Sequence, residues 1–396
     1  MISVDEAVQR IVAGFMTLPG ETAPIADAAG RVLAEPATAR LDQPPSPVSS
    51  MDGYAVRASD AKANAILKLI GSSPAGNPFT GKVGAGETVR IFTGGVIPDG
   101  ADAIVIQEDT ETQGGAVLIK EAAAHGKHIR PAGLDFHSGD TLAAAGRRLT
   151  PRDLSLLAAG DVARVAVRRK PRVAFVATGD ELSKPGEPRK PGGIVASSGY
   201  GLSALIRAWG GEPRDLGILP DTSEAVASIA ELADGADLIV TLGGASVGDH
   251  DLVQRALGPK GFTLDFWKIA MRPGKPLIFG RLGRTPLLGL PGNPVSTLVC
   301  ATLFLKPAVA ATLGAPVQPE ILSARLARDL PANDGRQDYL RAQIEIRGGE
   351  RWADPFAVQD SSMLRILASA DALVIRAPHA PAASAGSTVE ILPLET

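Results

Sequence analysis

The chain has 396 residues, of which 45% are hydrophobic, 21% charged and only 4% aromatic, and its formal net charge is −3. This is the composition of a globular protein with room for roughly two to four domains. It excludes a chain-wide basic field for nucleic acid or an anionic membrane, and leaves few aromatics for stacking on single strands.

In chain order, Ser3-Val4-Asp5-Glu6 reads as a capping box. Val4, Val8, Ile11, Val12 and Phe15 follow at helical spacing and predict an amphipathic first helix. The N-terminus has no basic stretch leading into an apolar one, and no run of about 18 apolar residues suits a membrane span, so a cytoplasmic location is the expectation. Residues 20–150 alternate short β-like runs (AILKLIGSSPAGNPF, GETVRIFTGG, ADAIVIQED, AVLIKEA) with turn signals, which predicts a β-rich half with long loops. A helix is predicted over 151–159, with Thr150 as cap, Pro151 in its first turn and Gly160 at its end.

The texture changes at Arg172. RVAFVAT is a continuous apolar run, the mark of a strand covered on both faces. Helical YGLSALIRAWGG, then DLGILP, a capped helix from Asp221, DLIVTLGG, a short helix near 251–257, PLIFG, PLLGL and a helix over 295–312 follow in turn. Strands alternating with helices predict a doubly wound parallel sheet in three layers. SKPGEPRKPGG (183–193) reads as a polar lid or linker. After Pro316 the β-like runs ILSARLA, YLRAQIEI, ALVIRAP and STVEILPL, with a short helix near 362–369, predict a small β-barrel-like domain. The lone Cys300, in an apolar run, reads as buried and inert.

Ligands of open α/β sheets bind at the carboxyl ends of the strands. Five such ends carry polar or glycine-rich turns. They are Gly179-Asp180-Glu181; Asp221; Gly243-Gly244-Ala245-Ser246-Val247-Gly248 with Asp251; Lys268, Arg272 and Lys275; and Pro291-Gly292-Asn293-Pro294. The glycine turn allows close backbone approach to an anion, the helix after it adds a positive dipole end, and the three basic residues add charge. The carboxylates would repel an anion unless a cation stood between, and hard oxygen ligands beside phosphate point to Mg²⁺. Pro291 and Pro294 stiffen the last turn, and Asn293 adds a side-chain amide. Singly, each turn is equally strand-to-helix punctuation; their convergence on one rim carries the argument. Elsewhere, Asp52 before a glycine is by itself a turn former. Asp135 beside His137 lacks a third ligand at zinc spacing. His125 and His128, in a polar loop, read as solvated.

SSMDGYAV (49–56), IFTGGVIPDGAD (91–102), RPAGLDF (ending at Phe136), ATGDEL (177–182), GGASVGDHD (243–251), FWKIAMRPGKP (266–276) and GLPGNPVS (289–296) occur in this order. Together they resemble the molybdopterin molybdenumtransferase family, MoeA in bacteria and the E domain of gephyrin in animals, over essentially the whole chain. The resemblance implies four domains: residues 1–44 with 135–170, 45–134, 171–314 and 315–396. It implies an elongated homodimer that takes adenylated molybdopterin and molybdate, inserts molybdenum and releases AMP with Mg²⁺. Transient contact with the molybdopterin adenylyltransferase and with cofactor-accepting enzymes is also implied. By motif, it places catalytic roles on Asp52, Thr93, Asp135, Glu181 and Asp221, the last two as Mg²⁺ ligands. Substrate binding falls on Gly243, Gly244, Ser246, Gly248, Asp251, Lys268, Arg272, Lys275, Pro291, Gly292, Asn293, Pro294, Arg341 and Ser362. Many members carry Lys where this chain has Arg272, which keeps the charge but replaces a point donor with a planar fork. The alternatives are an adenylyltransferase-type activity, against which the α/β domain is embedded among three others, and a gephyrin-like scaffold, against which an extra N-terminal domain and long linker are lacking.

In the family dimer each site draws on both subunits, Asp52, Thr93 and Asp135 from one and Glu181, Asp221 and Lys275 from the other. Asp52→Ala and Glu181→Ala, each inactive alone, should therefore complement after subunit exchange. A mixed dimer holds one doubly damaged and one intact site, so equal mixing should restore roughly a quarter of wild-type activity. Glu181→Ala mixed with Asp221→Ala should restore none; a dead first mixture after verified exchange rules the composite site out.

Overall fold

The computed structural model describes residues 1–243 and 249–394. The chain divides into two compact units, Met1–Glu21 with Arg168–Thr396, and Thr22–Val167.

The first unit is built on a six-stranded sheet. Its strands are β1 (Arg172–Thr178), β2 (Glu212–Leu219), β3 (Leu238–Leu242), β4 (Phe262–Trp267), β6 (Ile278–Leu282) and β7 (Thr285–Leu290), in the order β2-β1-β3-β7-β6-β4. A short β5 (Met271–Arg272) lies between β4 and β6 in the chain but outside this sheet. Every residue of β3 is buried, as its unbroken apolar run requires. β2, β1, β3 and β7 run parallel, whereas β6 and β4 are antiparallel to their neighbours. The sheet is thus mixed: the doubly wound parallel strands expected from the sequence carry an antiparallel edge. The cause is local. Only Gly283 and Arg284 separate β6 from β7, and Gly283 takes φ +59°, so the connection is a two-residue hairpin rather than a crossover.

The helix that follows β7 runs over Pro294–Leu313, α-helical at Pro294–Cys300 and Lys306–Leu313 with a π-helical turn at Ala301–Leu305 between. Pro307, which has no N–H to give, falls immediately after that turn. Among the described residues this is the one helix long and apolar enough to cross a membrane, against the expectation that no stretch would be. It is mostly buried and serves as a core helix. Cys300 lies within it, fully buried, and burial pushes its thiol pKa up, so it is a poor nucleophile. The first helix, Val4–Ala13, starts where Ser3 Oγ accepts the Glu6 N–H at 3.1 Å. Its buried stripe is Val4, Ala7 and Ile11, with Val8 and Val12 half-buried, and the Leu18 N–H beyond it donates to Thr312 O at 2.8 Å.

The C-terminal strands are β8 (Leu322–Leu326), β9 (Gln337–Arg347), β10 (Glu350–Pro355), β11 (Ala372–Arg376) and β12 (Thr388–Pro393). They follow the order β9-β10-β8-β12-β11, and β11 pairs back onto β9, which closes a barrel around its own apolar core. β5 adds to this barrel from outside, with Met271 opposite Gln337 and Arg272 opposite Asp338.

In the second unit, Gly53–Val56 lies between Ala103–Ile106 and Glu87–Ile91 in a six-stranded sheet completed by Ile66–Ser73, Ala116–Ile119 and Thr110–Gln113. A separate core gathers Leu33, Ala143, Leu157 and Val167 around the helix Pro151–Ala159. That helix begins in a reciprocal capping box of Thr150 and Asp153. Asp153 is buried, which alone would push its carboxyl up. The Arg147 guanidinium at 2.8 Å and the Thr150 N–H and hydroxyl at 2.8 and 2.7 Å outweigh this and hold it at about 2.

A carboxyl depressed on folding contributes stability that is present above its unfolded pKa and is lost as pH falls through the folded one. Asp153→Asn should therefore lower stability by about 1 kcal/mol at neutral pH. The gap to wild type should close as pH falls from about 4 toward 2. Thermal melts of both proteins across that range check this, and a gap independent of pH counts against the ionised cap.

Candidate active site

The chain leaves β1 for β2 on one side and returns to β3 on the other. Between β1 and β3 the connections diverge, and such a switch point leaves a crevice at the carboxyl ends of the strands. A cavity of about 700 Å³ lies there. Thr178 ends β1, Gly243 follows β3, Asp221 follows β2 and Pro291 follows β7, and all four line it. The strand ends are tied together by the Gly179 N–H to Leu219 O and the Gly243 N–H to Leu290 O, both 3.1 Å. Gly243 has φ +96°, and a Cβ there would stand 3.0 Å from the Thr178 carbonyl oxygen, so the turn needs glycine. Beside it, the Glu181 carboxylate folds back over Gly179, where a Cβ would come within 2.6 Å.

The segment expected as a lid or linker is pinned. Leu182–Ser183 pairs with Ile194–Val195, the Ile194 N–H donates to Glu181 O at 2.8 Å, and Lys190 Nζ reaches Asp180 O at 3.3 Å. Ile194 and Val195 line the cavity as an exposed apolar wall.

The opposite wall comes from the barrel. Gln359, Asp360, Ser361 and Arg336 line it. The Pro291–Pro294 turn holds this loop: Asn293 Nδ2 donates to Ser361 Oγ at 3.1 Å, and the Val295 N–H to Ser361 O at 3.2 Å. Thr297 Oγ1, donating to Pro291 O at 2.6 Å, braces the turn from behind. Arg341 and Ser362 do not line the cavity but shape the loop that does. Arg341 is fully buried, its Nη2 donates to the Asp360 carbonyl at 3.0 Å, and Gln359 brackets its backbone N–H and C=O at 3.0 and 2.9 Å. The Ser362 hydroxyl and N–H donate to Asp360 Oδ1 at 2.5 and 2.8 Å, which holds that carboxyl below its usual range.

The basic residues divide. Lys275 and Arg272 line the cavity. Lys268 is not among the lining residues; its ammonium rests 3.6 Å from the centre of the Trp267 ring. Arg272 donates to the buried Asp338 and stands 3.6 Å from Asp334. Gly244, Ser246 and Gly248 lie outside the described residues, as does the side chain of Asp251.

Glu181 and Asp221 both line the cavity, and no cluster of three or more His, Cys, Asp or Glu able to hold a metal occurs among the described residues. Two protein carboxylates completed by phosphate oxygens and water suit Mg²⁺, which is seldom held by an all-protein cage.

In the second unit, Asp52 Oδ1 accepts both the Thr93 N–H at 2.7 Å and its hydroxyl at 2.8 Å. The backbone donor, then the hydroxyl, hold Asp52 below the usual carboxylate range, so it is ionised at neutral pH. Arg90, stacked between Tyr54 and Phe92 with ring centres 5.0 and 4.9 Å away, adds attraction. Asp135 is exposed, and its N–H donates to Gln43 O at 2.9 Å. His137 Nδ1 is 3.7 Å from Asp42.

Three family profiles match the chain: MoeA N-terminal region (domain I and II) over residues 2–160, probable molybdopterin binding domain over 174–311, and MoeA C-terminal region (domain IV) over 323–394. The chain belongs to the MoeA family. A Haemophilus influenzae protein named molybdopterin molybdenumtransferase is 34% identical over 99% of this chain and 98% of its own length. One from Mycobacterium tuberculosis, molybdopterin molybdenumtransferase 2, is 35% identical over 99% of each. The crystal structure of the molybdopterin biosynthesis MoeA protein of Pyrococcus horikoshii superposes with a TM-score of 0.86 at 32% identity over the full length of both chains.

In this MoeA chain Asp338 takes its hydrogen-bonded counter-charge from Arg272, with Arg336 attracting it from farther off, and its other oxygen is buried without a hydrogen-bond partner. Arg272→Met should lower the unfolding free energy of the barrel by about 2 kcal/mol, because it leaves a buried carboxylate unpaired. Arg272→Lys should cost less, and Arg272→Met with Asp338→Leu should recover most of the loss. Urea unfolding followed by tryptophan fluorescence checks this; an unmoved midpoint in the single variant means the pair contributes nothing.

Proposed function

We propose that this chain inserts molybdenum from molybdate into adenylated molybdopterin and releases AMP. The supporting observation is the switch-point cavity, whose rim brings Lys275, Glu181, Asp221 and the Pro291–Pro294 turn together in a chain matched from end to end by its molybdenumtransferase relatives. Lys275 and the glycine and proline turns hold the phosphates, with Arg272 and Lys268 contributing charge at that edge. Glu181 and Asp221 hold Mg²⁺, which when bound neutralises the phosphoanhydride and favours its cleavage. Molybdate, a dianion, needs N–H donors and cationic heads, and Arg341 and Ser362 support it through the Asp360 loop that they position. The sulfur ligands belong to the substrate, in keeping with a single buried cysteine.

We further propose a cytoplasmic homodimer of four-domain subunits with the boundaries expected above. Asp52, Thr93 and Asp135 would serve the partner subunit's reaction, and contacts with the adenylyltransferase and with cofactor-accepting enzymes would be transient. An adenylyltransferase or a scaffold is not favoured, because relatives sharing almost the whole length carry the transferase name.

Reconstitution with adenylated molybdopterin, molybdate and Mg²⁺ tests the reading through AMP release and active cofactor. Glu181→Ala should keep the fold, since its side chain is exposed at the rim. It should reduce transfer by roughly 10²-fold or more. Near wild-type turnover in that variant would remove Glu181 from the mechanism, and a wild type that releases no AMP would remove the reaction.

A further inference from the structure

Arg336 carries no role in the site as assigned above, yet it forms part of the barrel's wall of the cavity. Its guanidinium is oriented from behind. Nη2 donates to Asp334 Oδ2 at 2.7 Å and Nε to Asp334 Oδ1 at 3.3 Å, a two-point contact, while the Arg336 backbone N–H donates to Oδ1 at 2.9 Å. A guanidinium has five N–H donors in a fixed plane, and a carboxylate on the Nε–Nη2 edge leaves the Nη1 edge available. Asp334 also faces Arg272 at 3.6 Å, so one carboxylate sets two cavity-lining arginines. Arg272 differs in directing Nη2 into the buried Asp338. Arg336 remains about one-third exposed at the cavity.

We propose that Arg336, oriented by Asp334, binds a tetrahedral oxyanion of the substrates, phosphoryl or molybdate, from the barrel side of the cavity. The assignment rests on reading that cavity as an anion site. It places cationic donors on two facing walls, Lys275 on the sheet rim and Arg336 on the barrel, so an anion is gripped between the two halves of the unit. Planarity suits the task, because a fork pinned on one edge loses little rotamer entropy when its other edge meets two oxygens.

The test is isothermal titration of wild type, Arg336→Gln and Arg336→Lys with AMP and, separately, with sodium molybdate, all with Mg²⁺ present. At least one anion should bind Arg336→Gln roughly tenfold or more weakly. Lysine should recover only part of the loss, and the anion affected identifies the source. Melting temperatures should hardly move, since the Arg336–Asp334 pair is substantially exposed. On the wild-type protein, AMP or molybdate should also slow modification of Arg336 by phenylglyoxal, read by peptide mass spectrometry, which decides the matter even if a variant fails to fold. Unchanged affinity of Arg336→Gln for both anions, or no protection by either, overturns the proposal. Arg336-dependent anion binding in a wild type that transfers no molybdenum overturns the transferase reading and leaves this assignment standing.

Discussion

Met271 and Arg272 pair with the barrel strand β9, while β4 and β6 on either side of them belong to the α/β sheet. That two-residue attachment sets the barrel against the carboxyl ends of the sheet strands. A rim of strand ends is by itself an open surface on which an anion competes with water. With the Gln359–Ser361 loop and Arg336 placed opposite, the same rim becomes one wall of a cavity, where charges act with less screening. The Asn293–Ser361 hydrogen bond closes the arrangement at the other end, so the Pro291–Pro294 turn is at once cavity lining and docking point.

The electrostatics follow from this enclosure. Glu181, Asp221 and Asp360 line a space that Lys275, Arg272 and Arg336 line as well. Two of those cations already meet acids of the segment before or within β9: Asp334 for Arg336, Asp334 and Asp338 for Arg272. Such pairing costs some attraction for a ligand, but it fixes the planes of the forks. Geometry of this kind favours discrimination among oxyanions over indiscriminate accumulation of negative charge.

Much of this was legible in the chain itself. RVAFVAT and LIVTL are too apolar to face water on either side, so a covered sheet and its ligand-bearing rim followed directly. Glu181, Asp221, Gly243, Lys275 and the Pro291–Pro294 turn were found on that rim because a strand end needs only local sequence to be recognised. The antiparallel edge was missed although its signal, Gly283-Arg284 between two apolar runs, is a short hairpin mark. The barrel's wall was not legible. Gln359, Asp360 and Arg336 reach the cavity where β5 pairs with β9 and the Pro291–Pro294 turn holds Ser361, contacts between segments about 65 residues apart that no local pattern encodes. Lys268 shows the converse: its motif places it in the basic cluster, but its backbone sits at φ +76° and its ammonium stacks on Trp267.

Arg341 and Ser362 carry the same lesson further. Both stand in motifs that mark them as substrate residues, and both spend their hydrogen bonds on the loop Gln359–Asp360. A buried arginine with its Nε unsatisfied is costly, and the fold tolerates it at the base of the loop that lines the cavity. Its charge also helps keep Asp360 ionised. Removing either residue would take these hydrogen bonds from the loop that forms the cavity wall. The loop they support forms the barrel's share of the cavity lining, with Arg336 of the neighbouring segment beside it.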